Sequence, residues 1–183
     1  VAVLDLYCGI GSTLRQWVLA GASALGVELA GGAVDCARIN APGAVVLRGT
    51  CEQRLPQARE WWHDGQHSCG ACYVNPPRSG LEPALVDALA HELRPDRIAY
   101  LSCSAGTLAR DLAAFEAAGY AVSSIAPFDF FPGTHHVECL ALLTLPRSLS
   151  AGPRLSHVSC LPRWWARARP AGLGLSGDGR TDH

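Results

Sequence analysis

Two short segments hold the residues best able to do chemistry. In Leu101-Ser-Cys-Ser-Ala-Gly-Thr-Leu-Ala-Arg-Asp-Leu112 an apolar run, Arg97–Ser102, stops at Cys103 just ahead of a helical pattern. A thiol at that place is either a small core residue or a nucleophile held at a strand end, and the partial positive charge of a helix N-terminus favours anions, thiolates among them. In Phe131-Pro-Gly-Thr-His-His-Val-Glu138 a second apolar run opens at Glu138. The Thr-His-His-x-Glu cluster suggests a metal at first sight. Adjacent residues of an extended segment point to opposite sides, however, so His135 and His136 are not expected to share an ion. Glu138 is the stronger candidate, as a group that moves a proton.

Three further places could bind a ligand. Asp5-Leu-Tyr-Cys-Gly-Ile-Gly11 leads into a helix, with Gly9 and Gly11 permitting a tight turn and close backbone approach to a ligand. It lacks the third glycine of the dinucleotide fingerprint. Glu28 closes a strand, where a carboxylate can accept both hydroxyls of a ribose or simply stand solvated. In Asn75-Pro-Pro-Arg78, two prolines after a strand fix an extended turn and remove two N–H donors.

The elements that must position these residues alternate. Strand patterns are expected at 1–7, 24–28, 44–48, 71–74, 97–102, 120–125 and 139–145. Helical patterns lie between them at 12–20, 32–40, 51–63, 83–93 and 107–118, the last closed by Gly119. Such alternation means βαβ units, and hence an α/β, Rossmann-like fold with helices on both faces of a mostly parallel seven-stranded sheet. Only the loop 126–138 joins the last two strands, so one of them is expected to run antiparallel. Ligands of such sheets bind beyond the carboxyl ends of the strands. Cys103 and the ligand-binding candidates stand at that end, and the connection to Glu138 begins there.

Composition sets the outer bounds. The chain has 183 residues, 49% apolar and 17% charged, which suits one domain with a real core. It contains no Met and no Lys, and the absence of an initiator suggests a front end that was cut or is incomplete. No apolar stretch is long enough to span a bilayer and no signal peptide opens the chain, so a cytoplasmic protein is expected. The eight cysteines are scattered, several in strand-like runs, and Cys69-Gly-Ala-Cys72 has no second pair at zinc spacing. Packing in a reducing compartment is favoured over a metal or disulfides. Residues 1–146 are expected to form the catalytic domain. Residues 147–183 hold six Arg against two Asp and read as a disordered Arg/Pro/Gly-rich tail, while the body carries a charge of −5. A weakly acidic body neither favours nor excludes nucleic acid.

Leu4-Asp-Leu-Tyr-Cys-Gly-Ile-Gly-Ser12, Asn75-Pro-Pro-Arg-Ser-Gly-Leu81, the Ser102–Leu112 block and Pro127–Glu138 together resemble, in order, the signature segments of RNA 5-methyluridine (uracil-C5) methyltransferases. The resemblance implies a class I fold, S-adenosylmethionine (SAM) as cofactor, and an RNA substrate, tRNA or rRNA. It implies that Cys103 is the nucleophile that adds to C6 of uracil and Glu138 the base that removes the C5 proton. It also implies that Tyr7, Gly9, Gly11, Ser12, Glu28 and Asn75 line the SAM site. The family more often has Asp at position 75, and Asn-Pro-Ala where this chain has Ser104-Ala105-Gly106. Two alternatives stand beside this reading. One is a truncated or inactive relative that binds SAM or RNA without turnover. The other is a SAM-dependent N-methyltransferase, which Asn75-Pro-Pro resembles but Arg78 does not suit.

Overall fold

The computed structural model describes residues 1–65, 69–134 and 137–146. The expectations for His135, His136 and the 147–183 tail lie outside the described residues. Within them, seven strands and five α-helices alternate: β1 (Ala2–Leu6), α1 (Ser12–Leu19), β2 (Ser23–Glu28), α2 (Gly31–Asn40), β3 (Val45–Arg48), α3 (Cys51–Asp64), β4 (Gly70–Val74), α4 (Pro83–Asp87), β5 (Arg97–Ser102), α5 (Ala105–Ala117), β6 (Ala121–Phe128) and β7 (Glu138–Thr144). The expected helix at 83–93 forms in two parts. After Asp87 the chain widens into a π-helical turn, Ala88–Leu93, which buries Ala88, Leu89, Ala90 and Leu93.

The sheet order is β3-β2-β1-β4-β5-β7-β6. β1 pairs in parallel with both β2 and β4, so the chain reverses its direction of winding between β1 and β4. That switch point opens a crevice between the loops that leave the two strands. β1 is buried along its whole length, as a central strand covered on both faces must be. β7 runs antiparallel to both β5 and β6, as expected of a strand reached without a crossover helix.

Two apolar cores flank the sheet. On one face Val3, Ala24, Val46 and Ala71 meet Leu14 and Trp17 of α1 and Val34 and Ala37 of α2. On the other, Leu4, Leu25, Cys72, Ile98 and Leu143 meet Leu55 of α3, Leu85, and Leu108 and Phe115 of α5. The first core ends short of β7: Leu101, Leu140 and Leu142, on that same face further along the sheet, are only half-buried.

Candidate active site

The turn after β1 sits on one side of the switch-point crevice. Tyr7 takes a left-handed conformation (φ 63°), as do Gly9 (φ 54°) and Gly11 (φ 80°). The two glycines serve different ends. A Cβ on Gly9 would meet nothing within 4 Å, so the backbone there faces open space. A Cβ on Gly11 would lie 2.9 Å from Cα of Ala37, so Gly11 lets α1 start hard against α2. Ser12 is exposed in the first turn of α1. The Tyr7 ring packs against the α3–α5 core, and its hydroxyl donates to Glu82, the N-cap residue of α4.

Glu28 is held from two sides. Its Oε2 accepts from the Gly9 N–H (3.0 Å) and its Oε1 from the Ala30 N–H (2.8 Å). Two backbone donors lock the carboxylate at the end of β2, next to the glycine turn. Beyond β3, Thr50 starts α3 by closing a capping box with Gln53.

Under the turn lies Asp5, fully buried, which sequence reasoning did not single out. Its Oδ2 accepts from Thr13 Oγ1 (2.7 Å) and Trp17 Nε1 (3.2 Å), while Oδ1 has no hydrogen-bond partner among the described residues. Burial pushes this carboxyl up to about 7, against the pull of those two donors. The signal was available: a charged residue in the middle of an otherwise apolar strand. The cysteines nearby are packing groups. Cys8 fits over Gly26, where any Cβ would come within 2.8 Å of its sulfur, and burial pushes its thiol up to about 12. Cys51 is likewise pushed up to about 12, by burial and then by the Glu82 charge, and burial raises Cys72 as well.

On the other side of the crevice, the Asn75 N–H donates to the Leu6 carbonyl (3.4 Å), which carries the pairing of β4 with β1 one step further. The Asn75 side chain is exposed. The following loop is clamped by α5. Thr107 Oγ1 donates to the Arg78 carbonyl (3.2 Å), and Arg110 donates to the carbonyls of Ser79 (3.1 Å) and Leu81 (3.2 Å). Asp111, only 2% exposed, accepts from the Leu81 N–H (2.9 Å) and the Tyr100 hydroxyl (2.7 Å) on one oxygen and from Arg110 on the other. Gly80 (φ 77°) must be glycine, because a Cβ there would lie 2.8 Å from Asp111 Oδ2. These anchors were missed. Their signal is an acid inside the apolar stripe Leu108, Asp111, Leu112, Phe115 of α5.

Cys103 follows β5 in a tight bend. Neither Ser104 nor Thr107 caps α5 through its side chain. Ser102 instead folds over: its hydroxyl accepts from the Ser104 N–H (3.1 Å) and donates to the Ser104 carbonyl (3.0 Å). Cys103 is thereby fixed at the apex of a closed bend, half-buried. The register of β5 with β7 runs from Arg97↔Thr144 to Ser102↔Cys139. Continued by one residue, it sets Cys103 opposite Glu138. Directly opposed residues of an antiparallel pair share a face, with Cα atoms roughly 4.5–5.5 Å apart. Burial, then the negative charges of Asp5 and Glu138, push the Tyr73 hydroxyl up to about 12. Glu138 therefore lies on the Tyr73–Trp17 side of the sheet, where the rings pack 6.4 Å apart.

The glycine turn, Glu28, Asn75, Cys103 and Glu138 thus come to one edge of the sheet, with Glu28 and Cys103 on opposite flanks of the switch point. Among the described residues no group of His, Cys, Asp and Glu is arranged to hold a metal ion, and no helix is long and apolar enough to cross a membrane.

Residues 61–145 match the family model described as tRNA (uracil-5-)-methyltransferase. An RNA methyltransferase of Gloeobacter violaceus is 38% identical over 151 residues, 80% of this chain, and one of Bacillus cereus is 36% identical over 148 residues, 78% of this chain. The chain spans only 30% and 31% of the length of these two curated relatives. Among solved structures, the Pyrococcus abyssi tRNA (uracil-54, C5)-methyltransferase, in complex with S-adenosyl-L-homocysteine, superposes with a TM-score of 0.63 at 30% identity. It aligns with 78% of this chain, which covers 34% of it. The C-terminal domain of a precorrin-6Y methyltransferase from Rhodobacter capsulatus, at 19% identity and TM-score 0.53 over 79% of this chain and 80% of its own, shows the fold alone. Residues 61–145, which hold the clamped Pro-Pro loop and the Cys103 bend, thus match the tRNA (uracil-5-)-methyltransferase family, and over most of its length the chain is similar to RNA methyltransferases.

Proposed function

We propose that this chain is the catalytic part of an enzyme that methylates C5 of a uridine in RNA, using SAM, through a covalent bond between Cys103 and C6. The observation that carries the proposal is the β5–β7 register, whose last pair, Ser102↔Cys139, leaves Cys103 and Glu138 as the next residues at the ligand-binding edge of the sheet.

The residues present fit the cofactor. Gly9 offers backbone beside open space, Glu28 presents a fixed carboxylate for ribose hydroxyls, and under the same turn the buried Oδ1 of Asp5 has no hydrogen-bond partner among the described residues. Tyr7, Gly11, Ser12 and Asn75 complete the surround, Gly11 by setting the start of α1. When bound, SAM supplies the methyl group that C5 takes.

C5 of uracil is a poor nucleophile, and its proton is not acidic. The Cys103 thiolate adds to C6, and the displaced π electrons form an enolate with carbanion character at C5. After methylation, C5 carries both the methyl group and its original hydrogen. The Glu138 carboxylate takes that proton, the C5=C6 bond re-forms, and the electron pair of the C–S bond returns to sulfur. Both groups must reach adjacent carbons of one ring, which a directly opposed pair can do. A base within a helix must be flipped out or already unpaired to reach them.

The test uses transcripts containing 5-fluorouridine, incubated with SAM and the protein. Fluorine cannot leave as a proton does, so the methylated adduct accumulates as a stable protein–RNA species. Cys103→Ala is expected to abolish it. Persistence of the adduct in that variant overturns Cys103 as nucleophile. With ordinary uridine, Glu138→Gln is expected to trap a methylated adduct that wild type releases. SAM binding by wild type without an adduct or turnover would instead support a non-catalytic relative.

A further inference from the structure

We propose that Phe128, with Phe130 stacked against it, forms the platform on which the nucleobase next to the target uridine stacks. The inference rests on the function proposed above and adds the way in which the RNA strand is held. Phe128 ends β6 and pairs directly with Glu138, so both side chains share a face. Continued by one residue beyond the end of β5, the register on the two sides of β7 sets Cys103, Glu138 and Phe128 in one row across the ends of β5, β7 and β6. Neighbouring strands lie about 4.8 Å apart, so the row spans roughly 10 Å. A uracil reaching from Cys103 to Glu138 occupies the first interval. The adjoining nucleotide falls over the second, where Phe128 lies.

The rings there are built for a planar partner. Phe128 and Phe130 stack with centroids 5.6 Å apart and an interplanar angle of 14°. They remain 39% and 57% exposed, and neither belongs to either apolar core. A third ring extends the stack. Any base has a π face, so the platform holds the strand without reading its identity.

The experiment measures adduct formation against concentration of a short single-stranded RNA with one 5-fluorouridine, flanked by adenosines or by an abasic ribose on one side or the other. For wild type, the abasic substitution on one side is expected to weaken half-saturation about 10-fold. Phe130→Ala is expected to cause the same loss with the intact RNA and no further loss with that abasic RNA. Phe130→Trp is expected to restore wild-type behaviour. As a readout independent of chemistry, 2-aminopurine at the flanking position should be quenched on binding to wild type and not to Phe130→Ala. Equal loss on intact and abasic RNA, or no loss, overturns the platform; loss of melting temperature without loss of quenching assigns the rings to contact with another protein segment. A wild type that forms no adduct at all, yet quenches the probe, contradicts the underlying reaction rather than the platform.

Discussion

Asp5 is a carboxylic acid whose chemistry departs from its type. Its carboxyl is held up to about 7 by burial, against 3.8 as the ordinary value. An acid whose folded value is raised binds its proton more tightly in the folded state. Its contribution to stability is complete below about pH 4 and is lost as pH rises through about 7. Asp5→Asn keeps an acceptor for Thr13 and Trp17 and removes the titration. Thermal unfolding of wild type should therefore lose stability between pH 5 and pH 8, by about 2–4 kcal/mol, relative to this variant. Parallel curves would show that Asp5 is not titrating in this range. Glu28 makes a second residue-scale prediction. Gln at this position keeps only one of the two acceptors that meet Gly9 and Ala30, and it carries no charge. Calorimetry should find SAM bound about 10–100-fold more weakly to Glu28→Gln, the scale of a lost charged hydrogen bond. Glu28 was legible because it ends a strand at the binding edge. Asp5 stood in the same quoted motif, but the sequence does not say how deeply the middle of β1 is covered.

At the scale of elements, the device that matters is the clamp between α5 and the loop after Asn75-Pro-Pro. Asp111 accepts from a backbone N–H of the loop and from Tyr100 of β5. It thereby ties the helix behind Cys103 to the loop behind Asn75. Removing the carboxylate leaves a buried N–H and a buried hydroxyl unpartnered, at about 1–3 kcal/mol each. Asp111→Ala should lower stability by roughly 2–5 kcal/mol and raise the KM for SAM, whereas Tyr100→Phe should cost about 1 kcal/mol and leave KM unchanged. Gly80→Ala, forced into a left-handed φ against Asp111, should behave like Asp111→Ala. Unfolding curves with SAM kinetics check all three, and a stable Asp111→Ala with unchanged KM contradicts the clamp. Element positions were largely legible, because each strand is a short apolar run between turn residues. β6 reaches Phe128, three residues past the expected end, because Ala126, Pro127 and Phe128 gain partners from β7. Pro127 argues against a strand locally, but β6 is an edge strand, where its missing donor costs little. The widening of α4 into a π-helical turn likewise depends on packing that no local pattern encodes.

Across the whole molecule, the sheet does the assembling. Crossover connections deliver the turns after β1, β2, β4 and β5 to one edge, and the antiparallel return of β7 brings Glu138 to that edge from the opposite direction. The candidate residues are spread from Tyr7 to Glu138 along the chain, and only the topology joins them. The topology was legible from strand–helix alternation and from the missing helix before β7. The register was not, because a one-residue slip of β7 leaves the apolar pattern of a half-buried strand plausible while turning Glu138 to the other face. That register is the central claim, and it can be read chemically. Opposed residues of an antiparallel pair lie within disulfide reach. In Glu138→Cys protein under mild oxidation, peptide mapping by mass spectrometry should find residues 103 and 138 joined, and wild type should show no bridge at Cys103. A variant in which Cys103 stays reduced, or pairs with any other cysteine, contradicts the site.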